Sequence, residues 1–197
     1  MTLPPLGTDT KDWIQAASWV AAVAAGLIGV IKIVWEFKQS RLQRMQELRW
    51  RKAQAAKSLN DEMLSDEGAQ VAMTMLDWEG REFEVQTGVK ESISLDDMLA
   101  SLRTTDTDTF SDLEIFVRDS FDDLFYYLEI FEHYISRGLV DFMDLEHPVK
   151  YYIDLMAANR PSFEYYLREY KFELASAFLE RFASWRAVGS AAQLPQL

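Results

Sequence analysis

From Trp13 to Ile31 the chain runs nineteen residues with only Gln15 and Ser18 polar and no charge before Lys32. About 20 helical residues cross a hydrocarbon layer of about 30 Å. A soluble helix of this length would show a polar stripe, and none is present. The pattern therefore predicts a transmembrane helix over 13–35, with Trp13, Trp19 and Trp35 near its ends and Lys32 able to snorkel. A cleaved signal is the competing reading, with Lys11 ahead of the run and Ala22-Val23-Ala24 as a cleavage site. The run is longer than the usual ~7–15 residues and continues into Lys32-Ile33-Val34-Trp35, which favours a retained span.

Beyond the span, Trp35 to Leu64 contains neither Pro nor Gly and is rich in strong helix formers, so a stalk helix is expected over 36–64. A short helix near Asp66–Glu79, closing at Gly80, comes next. Residues 81–93 are the least helical part, and Phe83 and Val85 alternate with charges around Thr87-Gly88. A hairpin and an irregular loop both fit. Ser94 with Asp97 forms a capping box before a further helix, and residues 104–109 read as a linker and the cap of the next helix.

Leu113, Phe116, Val117, Phe121, Leu124, Leu128, Phe131 and Ile135 then trace one face of a long helix ending before Gly138. A shorter helix is expected from about Pro148 to Ala158. Pro161 opens another long one, with Phe163, Tyr166, Leu167, Tyr170, Leu174, Phe178, Phe182 and Trp185 as its stripe. The fold class is all-α. A transmembrane helix would continue into a cytoplasmic stalk, followed by a small helical bundle at 65–188, with a short extracytoplasmic tail at 1–12 and a loose tail at 189–197.

The net charge of −12 is unevenly spread. Residues 32–57 hold eight basic and two acidic residues, whereas 58–197 hold eleven basic and twenty-eight acidic, a balance of −17. Cations directly after a span place the body in the cytoplasm and residues 1–12 outside. Lys38, Arg41, Arg44, Arg49, Arg51 and Lys52 would then meet lipid headgroups. The same arginines could meet RNA, but topology already accounts for them, and the acidic body makes nucleic acid an unlikely partner. Ala17, Ala21, Ala25 and Gly29 recur every four residues, a spacing that lets helices approach closely in lipid and points to a homo-oligomer. Leu42, Met45 and Leu48 would extend that seam along the stalk.

Candidate chemistry is sparse. The chain has no cysteine, which removes disulfides, thiolate zinc sites and Cys nucleophiles. Glu129 with His133, and Asp144 with His147, miss the Glu-x-x-His pattern of bundle di-metal sites. Neither histidine follows an arginine at the four-to-six-residue spacing of small helical nucleases. Phosphate-binding loops and hydrolase elbows are also missing. No catalytic residue, metal or cofactor is expected. Three tyrosine doublets remain, each able to bury one ring and turn its neighbour outward. Tyr126, Tyr151 and Tyr165 are thus candidate contacts for a protein partner in the cytosol, alongside the plainer reading of core edges.

The segments LRWRKAQAAKSLNDEMLSDE, AMTMLDWEGREFEV and FYYLEIFEHYISRGLVD, with the turn Arg137-Gly138-Leu139-Val140-Asp141, complete the picture. Together with the apolar run, the chain resembles a family of uncharacterised bacterial single-pass membrane proteins carrying a small helical cytosolic domain of unknown function. The resemblance implies a location at the inner membrane of a bacterial cell and a structural and binding role, and it brings no catalytic residues. In layout alone the chain is similar to the small membrane accessory proteins of type VI CRISPR systems. The expected function is a non-enzymatic membrane-tethered module presenting an acidic helical domain to a partner. The alternative is an oligomeric membrane effector, pore-forming or membrane-disrupting, in phage defence.

Overall fold

A computed structural model of the chain describes the backbone of residues 9–78, 80–104 and 109–192. The side chains of 9–17, 21–25, 27, 28, 30, 31, 146, 148 and 187–192 lie outside that description. In chain order the elements are α1 (Asp9–Ser65), α2 (Glu67–Asp77), β1 (Arg81–Gln86), β2 (Val89–Ile93) and α3 (Leu95–Ser101). There follow α4 (Asp112–Ser136), α5 (Phe142–Ala158), α6 (Arg160–Glu169) and α7 (Glu173–Ala192). The protein is mostly helical, as its periodicity predicts. It divides into two units, Met1–Trp50 and Arg51–Leu197.

The expected membrane anchor is corrected. Among the described residues no helix is long and apolar enough to cross a membrane. From Lys32 to Ser65, α1 carries charge at twelve of thirty-four positions, which leaves no uninterrupted apolar length there. Most side chains of Trp13–Ile31 fall outside the described residues, as do Ala17, Ala21 and Ala25. Without a supported span, the single-pass topology, the inner-membrane location and the outside placement of the N-terminus all lose their footing. So do the headgroup role of the α1 cations and the membrane-effector alternative.

In the second unit the last turns of α1 are core. Ala56, Leu59 and Met63 are buried, so the domain begins at Arg51 rather than after the expected stalk. α4 is the central element, packed on α2, α3 and α7. Its apolar face places Phe121 and Phe125 5.8 Å apart, with Phe163 of α6 5.6 Å from Phe121. Phe131 meets Phe178 of α7 at 5.9 Å. Rings tilted at such separations add about 0.5–1.5 kcal/mol per pair beyond the area they bury.

The ends of these helices are written locally. The Ser94 and Ser111 hydroxyls accept from the Asp97 and Glu114 amides, and each acid accepts the amide of its serine in return. α4 stops where Gly138 adopts φ +69° and Leu139 N–H donates to Tyr134 O at 2.9 Å. Residues 81–93 form the hairpin rather than the loop, antiparallel through the turn at Thr87-Gly88. Its buried side chains, Phe83 and Ile93, join the core, with Phe83 6.2 Å from Phe116. Gly80, expected to close α2, instead starts the hairpin and donates to Ile93 O.

Two helices differ from expectation. α5 begins at Phe142, well ahead of Pro148. The long helix expected after Pro161 is broken into α6 and α7 at Lys171, whose φ is +64°. Tyr170 N–H donates to Tyr166 O and Phe172 N–H to Leu167 O, which closes α6. The break carries Phe172 inward to 5.5 Å from Phe125. Tyr170 and Leu174, placed on the expected stripe, are left largely exposed.

Candidate functional site

The most unusual surface of the first unit is the described part of α1 between Lys32 and Trp50. All of its side chains are exposed except Ser40, which is half-buried. Among them are Ile33, Val34, Trp35, Phe37, Leu42, Met45, Leu48 and Trp50. Lys32 and Glu36 form an exposed pair at 3.8 Å, which stabilises the helix only by a few tenths of a kcal/mol. Lys38, Arg41, Arg44 and Arg49 share this helix with the apolar residues, so one short segment is both cationic and apolar. Arg51 and Lys52 belong to the second unit, and Lys52 donates to the Asp141 carboxylate at 2.8 Å. Gly29 is the one described member of the small-residue row, and a Cβ added there would meet nothing within 4 Å.

The three outward tyrosines are each more than half exposed. Their doublet partners are buried at Tyr166 and half-buried at Tyr127 and Tyr152, as the spacing predicts. They sit on α4, α5 and α6 and form no common patch by any described contact. Tyr151 donates to the Asp77 carboxylate, Tyr126 stacks on Tyr127 at 5.9 Å, and Tyr165 lies under the Arg168 guanidinium at 5.0 Å.

A cleft of about 310 Å³ opens between α5, α6 and α7. Ile153, Met156, Phe163, Leu179 and Phe182 line it, and the ion pairs Arg186–Asp154 (2.5 Å) and Arg160–Glu164 stand at its mouth. Because each guanidinium already faces a carboxylate, the mouth selects no particular charge.

Sequence patterning missed the polar groups inside the bundle. Arg118 is buried, and its guanidinium donates to Ser101 O and Arg103 O, both at 3.0 Å. It also lies over the rings of Phe110, Tyr166 and Tyr170 at 4.1, 5.0 and 4.7 Å. The Tyr166 hydroxyl donates to Asp122 at 2.7 Å. Burial raises the Asp122 carboxyl above its usual range, against the pull of Tyr166 and Arg118. Burial, then the Asp122 acceptor, holds the Tyr166 phenol far above its usual value. Glu132 is buried and takes a two-pronged bond from Arg181, at 2.9 and 2.6 Å. The available signal was helical spacing: Arg118 precedes Phe121 and Phe125 by three and seven, and Glu132 follows Leu128 by four.

These groups satisfy one another. Arg118 closes the carbonyl end of α3, Asp122 accepts from Tyr166, and Arg181 neutralises Glu132. Among the described residues no group of three or more His, Asp or Glu is placed to hold a metal ion. Glu129 accepts from Leu174 N–H at 3.3 Å, at the start of α7, and His133 lies beside Tyr134. Comparison with protein-family models, curated proteins and solved structures finds no match.

Proposed function

We propose that the protein is a non-enzymatic interaction module, in which α1 carries the docking surface and the second unit is its acidic helical domain. The observation that supports this most is the Lys32–Trp50 segment. Large apolar side chains stand exposed there beside a run of cations among the described residues. Leaving such side chains uncovered forgoes about 25 cal/mol for each Å² of apolar surface, and a partner would recover it. The ionisable groups of the core support the same reading, since Arg118, Asp122, Tyr166 and Glu132 hold the fold together and face no open cleft. Tyr126, Tyr151 and Tyr165 offer further contact area on the domain.

The test is site-specific photocrosslinking in the native host. A photoreactive residue replaces Leu42 or Leu48 in one set of full-length chains, and Lys90 on the hairpin in a control. Discrete adducts from the α1 positions, absent from the control, are expected. If α1 and hairpin positions give the same adducts, or none, the module reading fails.

A further inference from the structure

Trp35, Lys38, Leu42, Met45 and Arg49 follow one another at steps of three, four, three and four, the spacing of a seam between helices. In sequence the same steps continue through Lys52 to Ala56, Leu59 and Met63, and those last three are buried in the second unit. The register is thus one that this chain packs where it has a partner element. Between Trp35 and Arg49 the row is exposed among the described residues: Trp35, Leu42 and Met45 are 64%, 49% and 52% exposed.

Charge decides what can cover the row. Two of its five positions, Lys38 and Arg49, are cationic, Arg41 lies beside it, and residues 35–49 carry four basic against two acidic side chains. A second copy laid alongside in parallel would set Lys38 against Lys38 and Arg49 against Arg49. An antiparallel copy would still pair two cationic segments. Like charges facing each other across a helical seam are destabilising, and opposite charges choose the partner. Resting on the module reading above, we propose that the row from Trp35 to Arg49 docks an acidic amphipathic helix of another protein. Its apolar stripe would cover Trp35, Leu42 and Met45, and its carboxylates would face Lys38, Arg41 and Arg49.

The probe is a synthetic peptide of about three heptads, with Leu at both seam positions and Glu on the flanks. A second peptide carries Lys in place of Glu. Binding to the full chain is followed by titration calorimetry, and the mass of the chain by light scattering. The acidic peptide should bind one to one, at least tenfold tighter than the basic one, and weaken as salt is raised. Leu42→Glu with Met45→Glu should weaken it tenfold or more, and because Glu is a strong helix former the far-ultraviolet helical signal should persist. Lys38→Glu with Arg41→Glu and Arg49→Glu leaves the apolar positions intact and should reverse the preference to the basic peptide.

Equal binding of the two peptides, or of neither, overturns the proposal. So does a chain that is itself dimeric and made monomeric by Leu42→Glu with Met45→Glu, since a second copy would then occupy the row. Should the peptides fail while Leu42 still crosslinks in cells, the partner chemistry is wrong and the module reading stands. If crosslinking fails as well, both fall.

Discussion

At the scale of single residues the fold leans on a few charged side chains inside an apolar face. Arg118 supplies one guanidinium nitrogen to two carbonyls and its flat surface to three rings. Arg118→Met keeps the bulk and removes the donors, leaving Ser101 O and Arg103 O unpaired. A loss of about 3 kcal/mol in urea unfolding is expected, and Arg118→Lys should lose about half as much. Asp122 sets a pH dependence of definite sign. Its folded pKa is raised above 3.8, chiefly by burial. Its contribution to stability is therefore full below that value and is lost as pH rises through the folded value. Asp122→Asn keeps an acceptor for Tyr166 and removes the titration. The variant should gain on the parent in melting temperature as pH rises above the ordinary carboxylate value. A constant difference over that rise would show that Tyr166 and Arg118 fully offset the burial.

At the scale of elements, one helix start and one stop were legible because they depend on neighbouring residues. The capping box at Ser94 and the stop at Gly138 follow from serine, acid and glycine at fixed offsets, whereas the cap expected within residues 104–109 falls beyond them at Ser111. The break between α6 and α7 was not legible. Tyr170, Lys171 and Phe172 are ordinary helix residues, and the turn is bought by Phe172 reaching Phe125, a contact far away in sequence. Lys171 holds a left-handed backbone that costs a non-glycine residue about 1 kcal/mol. Lys171→Gly should therefore raise the urea midpoint, by about 0.5 kcal/mol after the greater freedom of the unfolded glycine is counted. Gly68 in α2 offers the opposite case. A Cβ there would come within 2.9 Å of the Asp123 Cγ, so Gly68→Ala should destabilise despite its better helix propensity. In an Asp123→Ala background the same change should turn neutral or stabilising, which a double-mutant cycle in urea would read.

At the scale of the whole molecule, the apolar residues divide into two kinds that sequence pattern does not distinguish. Leu42 and Met45 have the same helical spacing as Ala56 and Leu59, yet the first pair is exposed and the second buried. Spacing records which residues share a side of a helix and says nothing of whether another element lies there. The anchor expectation rested on Trp13–Ile31, most of whose side chains lie outside the described residues, and among the described residues no helix is long and apolar enough to cross a membrane. Every buried residue described lies between Ala56 and Phe182. A chain of residues 51–197 should accordingly unfold in one transition at nearly the urea midpoint of the full protein. A drop of more than about 1 kcal/mol would mean that the first unit contributes to the stability of the second.

The placement of the tryptophans gives the molecule an optical asymmetry. Trp35 and Trp50 lie in the exposed segment of α1 and Trp78 is exposed beyond α2, while the core around α4 is built from phenylalanine. Among the described tryptophans, Trp185, half-buried against Phe142 and Phe182, reports from within the bundle. The emission of Trp35, Trp50 and Trp78 will therefore be red-shifted in the native state and change little when the bundle melts. A helix closing over Trp35 would move that emission to the blue, so the chain carries its own indicator of occupancy at the site where a partner is proposed.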